Sequence, residues 1–128
     1  MAKRILQIVE TAYRATLEEQ DDPVLWLAQS LRNGGADVHV LLKGNAVNYA
    51  VRGQDPSGLV FGDRAQTQPP HLERDLGRLV EKGATVYLVE EDLNARGIQR
   101  SELVEGITQI SATTLPSLFG TFEHVWHW

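Results

Sequence analysis

Three consecutive acids, Glu90, Glu91 and Asp92, are followed within four residues by Asn94 and Arg96. Adjacent carboxylates can split their pKa values when partly buried, which is what general acid–base catalysis requires. The plainer reading is a solvated acidic turn. Arg96 carries a planar fork of donors that could pair with the acids of its own loop, with an anionic ligand or with a neighbouring subunit. Ion pairing within the loop is the simplest of the three. Gly97, next in the chain, permits a backbone angle that other residues resist.

A second set follows Leu42: Lys43-Gly44-Asn45-Ala46-Val47-Asn48-Tyr49. Gly44 and Asn45 open a short helix there, and a helix start beyond a strand end turns backbone amides toward an anion. Asn45, Asn48 and Tyr49 are therefore ligand-binding candidates alongside Glu90, Asp92 and Arg96. In the alternative, Asn45 is only a helix cap. With neither a G-x-G-x-x-G nor a Walker lysine motif, no nucleotide is indicated.

Other chemistries lack their parts. The chain has no cysteine, which removes disulfides, thiolate metal sites and any nucleophilic or persulfide-carrying thiol. No G-x-S-x-G surrounds a serine, so serine hydrolysis is set aside. His124 and His127, with Glu123 alongside, invite a metal reading, but residues three apart on a strand point to opposite faces. With His39 in mid-strand and His71 at a helix start, structural or exposed histidines are the default, and neither metal nor cofactor is expected. A formal net charge of −5 argues against a nucleic-acid partner.

The elements that would position these residues alternate in type. Thr85–Val89 is mostly β-branched or aromatic, released by Gly83 and stopped by the three acids, so it reads as a strand covered on both faces. In a parallel sheet, ligands sit beyond the carboxyl ends of such strands. Arg4–Glu10, Asp37–Leu42, Ile107–Ser111 and Glu123–Trp128 read as the other strands. Thr11–Asp22 is a long polar connection, carrying Tyr13, Arg14, Glu18, Glu19, Asp21 and Asp22.

Asp22-Pro23 starts a helix whose core stripe is Val24, Leu27, Ala28 and Leu31, with Trp26 pointing away toward solvent or a subunit interface. Gly53–Pro70 is a loop or lid, broken by Asp55-Pro56, Gly58 and Pro69-Pro70, that Leu59, Val60 and Phe61 pin down. A second amphipathic helix runs from about His71 to Lys82. Thr114 caps a last helix through about Phe122, with Pro116 in its first turn. The expectation is one domain over residues 1–128, an α/β three-layer sandwich with a five-stranded parallel sheet. Without a signal-peptide pattern or 18 consecutive apolar residues, the expected location is cytoplasmic and away from membranes.

Taken in order, several stretches resemble the DsrE/DsrF-like family of sulfur-relay proteins. They are R-I-L-Q-I-V-E, A-Q-S-L-R-N-G-G-A-D-V-H-V-L-L, G-N-A-V-N-Y-A-V, G-A-T-V-Y-L-V, the A-R-G-I turn and the terminal E-H-V-W-H-W. That resemblance implies a DsrE-like, flavodoxin-like fold, assembly as trimers, hexamers or related hetero-oligomers, and a role near sulfur transfer with sulfur-carrier partners. It also implies a persulfide cysteine at the end of the third strand, a position that falls at or next to Val89. Having no thiol, the chain cannot carry a sulfane sulfur. The expectation is thus a non-catalytic binding or accessory subunit. Its rivals are a small-molecule enzyme using the acid and arginine cluster, and a purely structural oligomer subunit.

Overall fold

The computed structural model describes residues 3–12, 23–54, 60–65 and 71–128. In chain order the elements are β1 (Arg4–Val9), α1 (Pro23–Asn33), β2 (Asp37–Leu42), a 3-10 helix (Gly44–Ala50), and the short strands β3 (Val60–Phe61) and β4 (Arg64–Ala65). Then come α2 (Leu72–Glu81), β5 (Val86–Val89), α3 (Glu90–Ala95), β6 (Ile107–Ile110), α4 (Leu115–Phe119) and β7 (His124–His127). Single 3-10 turns at Arg100–Glu102 and Ala112–Thr114 flank β6.

Five strands make one sheet in the order β6-β5-β2-β1-β7, with every pairing parallel. Their carboxyl ends therefore share one rim. The inner strands β1, β2 and β5 are the ones with nearly unbroken apolar runs, because both of their faces are covered. The outermost strand β7 is exposed along its length.

Strand alternation divides the core in two. Val9, Val38, Val40, Leu42, Val86 and Leu88 face α1 and α2, where they meet Val24, Leu25, Ala28, Leu72, Leu76 and Leu79. On the other face Leu6, Ile8, Leu41, Val89 and Phe122 meet Leu115, Leu118 and Phe119. A fully buried leucine contributes about 1.5–3 kcal/mol, so the larger first cluster supplies most of the apolar stabilisation. The helix layers are unequal too: α1 and α2 have 11 and 10 residues, α4 only 5.

Several sequence expectations change. The buried stripe of α1 is Val24, Leu25 and Ala28, with half-buried Leu31 packed against the core as expected; Leu27 is half-buried and takes no part in that cluster. Val60 and Phe61 pin nothing down, since they sit exposed in the antiparallel β3–β4 hairpin. Thr114 does not cap α4 through its side chain; its hydroxyl donates to the Ser111 carbonyl, and the helix stops at Phe119. Expectations on Tyr13, Arg14, Glu18, Glu19, Asp21, Asp22, Asp55-Pro56, Gly58, Leu59 and Pro69-Pro70 lie outside the described residues.

At the amino ends of the strands, His39 is buried against the Phe122 ring, edge to face at 5.6 Å. Its Nδ1 accepts the Thr85 backbone N–H at 2.9 Å, so the proton sits on Nε2, 2.8 Å from the Asp37 carboxylate. Arg32 joins the same carboxylate at 3.1 Å and donates to the Val38 carbonyl. One imidazole thus ties the start of β2 to the segment entering β5.

Candidate functional site

Where β5 ends, α3 begins at once, and the three acids form its first turn rather than a loop. Carboxylates are favoured there because the free amides of a helix start carry partial positive charge. Each acid then takes a separate long-range partner. Glu90 pairs with Arg100. Glu91 accepts the Ala112 N–H at 2.9 Å and the Ser111 hydroxyl at 3.0 Å, joining α3 to the exit of β6. The Ala112 amide, ahead of the Ser111 hydroxyl, holds the Glu91 carboxyl below the usual range. Asp92 Oδ2 accepts the Gly44 N–H at 2.7 Å, joining α3 to the turn after β2. Gly44 has φ 56°, and a Cβ there would lie 3.2 Å from the Glu10 side chain, so glycine fits this crossing point.

Arg96 does not pair with the acids of its own turn. Its Nε and one terminal nitrogen both donate to Asn45 Oδ1, at 3.2 and 2.8 Å, and the other terminal nitrogen donates to the Asp92 carbonyl at 3.0 Å. That uses three of five N–H donors. The remaining two point from an exposed side chain with no partner among the described residues. Asn45 is therefore not a helix cap; Lys43 holds that position, without a side-chain bond.

Asn45, Asp92 and Arg96 thus converge at the carboxyl-end rim, and Gly44 supplies the backbone that joins them. Asn48 and Tyr49 are placed differently. The Asn48 amide donates to the Asn45 carbonyl within its own 3-10 helix, and Tyr49 is fully buried in the larger core. Val89, immediately before the acids, is buried in the smaller core beside Leu6, Ile8 and Leu41. Among the histidines, His127 meets Glu10 at 2.7 Å, and Lys43 stands 3.8 Å from the same carboxylate. No cluster of three metal-ligating side chains occurs among the described residues.

Two hollows lie elsewhere and touch none of Asn45, Asp92 or Arg96. One, of about 570 Å³, is bordered by Arg52, Glu73, Gly77, Glu81 and Glu105 between α2 and the approach to β6. The other, of about 300 Å³, is apolar and bordered by Pro23, Val24, Trp26, Leu27 and Trp128.

Solved structures share this arrangement end to end. The ychN protein from E. coli superposes with a TM-score of 0.74 at 21% identity, covering 100% of both chains. This chain has that fold. A protein of unknown function from Methanobacterium thermoautotrophicum matches with a TM-score of 0.63 at 17% identity, over 97% of this chain and 98% of the other. A conserved protein of unknown function from Bacteroides thetaiotaomicron gives 0.64 at 19%, over 97% and 94%. No protein-family model matches the sequence, and no curated protein matches it significantly. The five-stranded parallel sheet with its helices is the DsrE-like, flavodoxin-like architecture expected from the sequence.

Two of the site's contacts had no sequence signal. Glu91 reaching Ala112 and Asp92 reaching Gly44 span 21 and 48 residues. A carboxylate bonded to a distant backbone amide leaves no periodicity behind. Only the tight spacing of the acids and the glycine after β2 pointed to that part of the molecule.

Proposed function

We propose that this chain is a thiol-less protein of the DsrE-like type that binds, without catalysis, a sulfur-carrier protein or its anionic terminus at the strand-end rim. The observation that carries the reading is the exposed Arg96, held by Asn45 and the Asp92 carbonyl with two donors to spare, beside a strand end where the resemblance puts a sulfur atom and this chain has buried Val89. A guanidinium with open donors suits a carboxylate, a persulfide or another small anion. The acids offer little to catalysis, because Glu90, Glu91 and Asp92 are each engaged in a structural bond. Assembly with further copies or related subunits, in the cytoplasm, belongs to the same reading.

The test is association of the purified protein with persulfide-carrying proteins, followed by calorimetry and by melting temperature, which a ligand of the native state raises. Arg96→Ala should weaken the association while leaving the melting temperature of the free protein nearly unchanged. If no carrier binds, or if Arg96→Ala binds as tightly as the native protein, the reading fails.

A further inference from the structure

All three tryptophans of the chain stand exposed along one side of the molecule. Trp126 and Trp128 belong to β7 and its end, and Trp26 to the first turn of α1; they are 36%, 38% and 58% exposed, with Val125 at 40%. The uncovered parts of these four side chains come to roughly 400 Å², about half of what a standard interface takes from each partner. Tryptophan is also the residue most enriched where binding energy concentrates.

The same side carries an open sheet edge. β7 pairs with β1 and, among the described residues, with nothing else. Exposed edges are ordinarily blunted by lysine, proline or inward charges, yet residues 123–128 contain no lysine, arginine or proline. The direction of the unused hydrogen bonds follows from the ladder. Trp128 donates to the Ile8 carbonyl and its own carbonyl accepts from Glu10, so its backbone groups face β1. By strand alternation those of Trp126 face β1 as well, and those of Val125 and His127 face outward.

We propose that β7 pairs antiparallel with β7 of a second copy about a two-fold axis at Trp126, continuing the sheet across two molecules. The inference develops the assembly part of the reading above and owes nothing to its sulfur part.

Geometry selects that register. A two-fold axis perpendicular to the sheet sets each residue against one on the same face, so the axis must pass through a residue. Centred on Trp126, it exchanges both backbone bonds between Val125 of one copy and His127 of the other, twice over. All four outward donors and acceptors are then used. The two Trp126 rings become a close non-hydrogen-bonded pair, and Trp128 faces His124 of the other copy on the side of α1. Aromatic cross-strand pairs of this kind are favourable. The apolar hollow between Trp26, Leu27 and Trp128 flanks the added strand on that side. A centre at Val125 would leave His127 opposite Glu123, outside the β7 ladder.

Light scattering at high micromolar concentration should give an even-numbered assembly of the 14.3 kDa chain. Trp126→Lys should halve its mass while circular dichroism stays native. Val125→Pro, which deletes an outward donor and leaves the bonds to β1 alone, should do the same. In the native protein, hydrogen exchange at Val125 and His127 should slow at least tenfold on assembly, with Trp126 protected throughout. A monomer at that concentration, an odd-numbered assembly, unchanged mass in both variants, or fast exchange at Val125 and His127 in the assembly would overturn the proposal. Carrier binding at the rim, measured on Trp126→Lys, separates this result from that of the functional reading.

Discussion

His39→Leu removes the ring nitrogen that accepts the Thr85 N–H and the N–H that meets Asp37. Leucine fills much of the imidazole's space, so the lost bonds dominate. Asp37 keeps Arg32 at 3.1 Å and Arg4 at 3.7 Å and is partly open to water. The Thr85 amide has no substitute. A backbone donor left without a partner costs about 1–3 kcal/mol, and the half-buried setting favours the lower part, about 1–2 kcal/mol. For a domain of this size that lowers the melting temperature by roughly 3–8 °C.

The pH dependence gives the sharper test of the same contact. Burial, with the Arg32 and Arg4 charges adding to it, pulls the His39 pKa below the ordinary histidine value against the opposing pull of Asp37. The unfolded chain therefore takes up the proton first as the pH falls. The stability that His39 supplies is complete above the unfolded value of about 6.5 and is lost as acid carries the pH down through the lowered folded value. Protonation also sets an N–H on Nδ1 against the Thr85 N–H. Urea unfolding of both proteins between about pH 8 and about pH 5 should show the native protein's advantage shrinking toward acid. An advantage that stays constant or grows on acidification would refute the tautomer and the burial argument together.

Asp92→Ala strips the Gly44 N–H of its acceptor and should cost about 1–2 kcal/mol in urea unfolding, with Asp92→Asn losing less; unchanged stability would mean that the bond is replaced by water without penalty. Gly106→Ala forces a φ of 88° on an L-residue and sets its Cβ 2.9 Å from Val80 Cγ1, for about 1–3 kcal/mol. Adding Val80→Ala should recover part of that loss, and strictly additive losses would rule out the clash. Glu91→Gln weakens the clasp on Ala112 and Ser111. Because the Glu91 carboxyl lies below its usual range in the folded chain, its contribution is present above the unfolded value and disappears as the pH falls through the lowered one. The gap between native protein and variant should therefore close in acid, and a gap that widens would contradict the assignment.

The strands and helices were readable because apolar runs such as Val86–Val89 and Asp37–Leu42 stand between glycines and charged residues, so local pattern and tertiary burial agree. Agreement failed where an apolar residue has no face to bury against. Val60 and Phe61 look like anchors by type, yet a two-residue hairpin strand gives them no core. In α1, Leu25 displaced Leu27 from the core by one step of helix rotation, which periodicity alone does not fix. At the rim, the acids follow the end of β5 as the strand pattern placed them, but their sequence neighbours suggested the wrong partners. Arg96 chose an asparagine 51 residues away over the carboxylates beside it, a choice set by how the turn after β2 folds back on α3.

Val89 bears on any attempt to give the chain a reactive sulfur. It is 3% exposed and stands immediately before the first turn of α3. In Val89→Cys the helix start would favour a thiolate, but Leu6, Ile8, Leu41 and Phe122 close over the spot and withhold the water and the approach path that such an anion needs. A graft there should label sluggishly with alkylating reagents while the protein is folded. Giving this position a reactive sulfur would mean opening the lining as well as changing one side chain, because the neighbours that shield it belong to the packed core rather than to the rim.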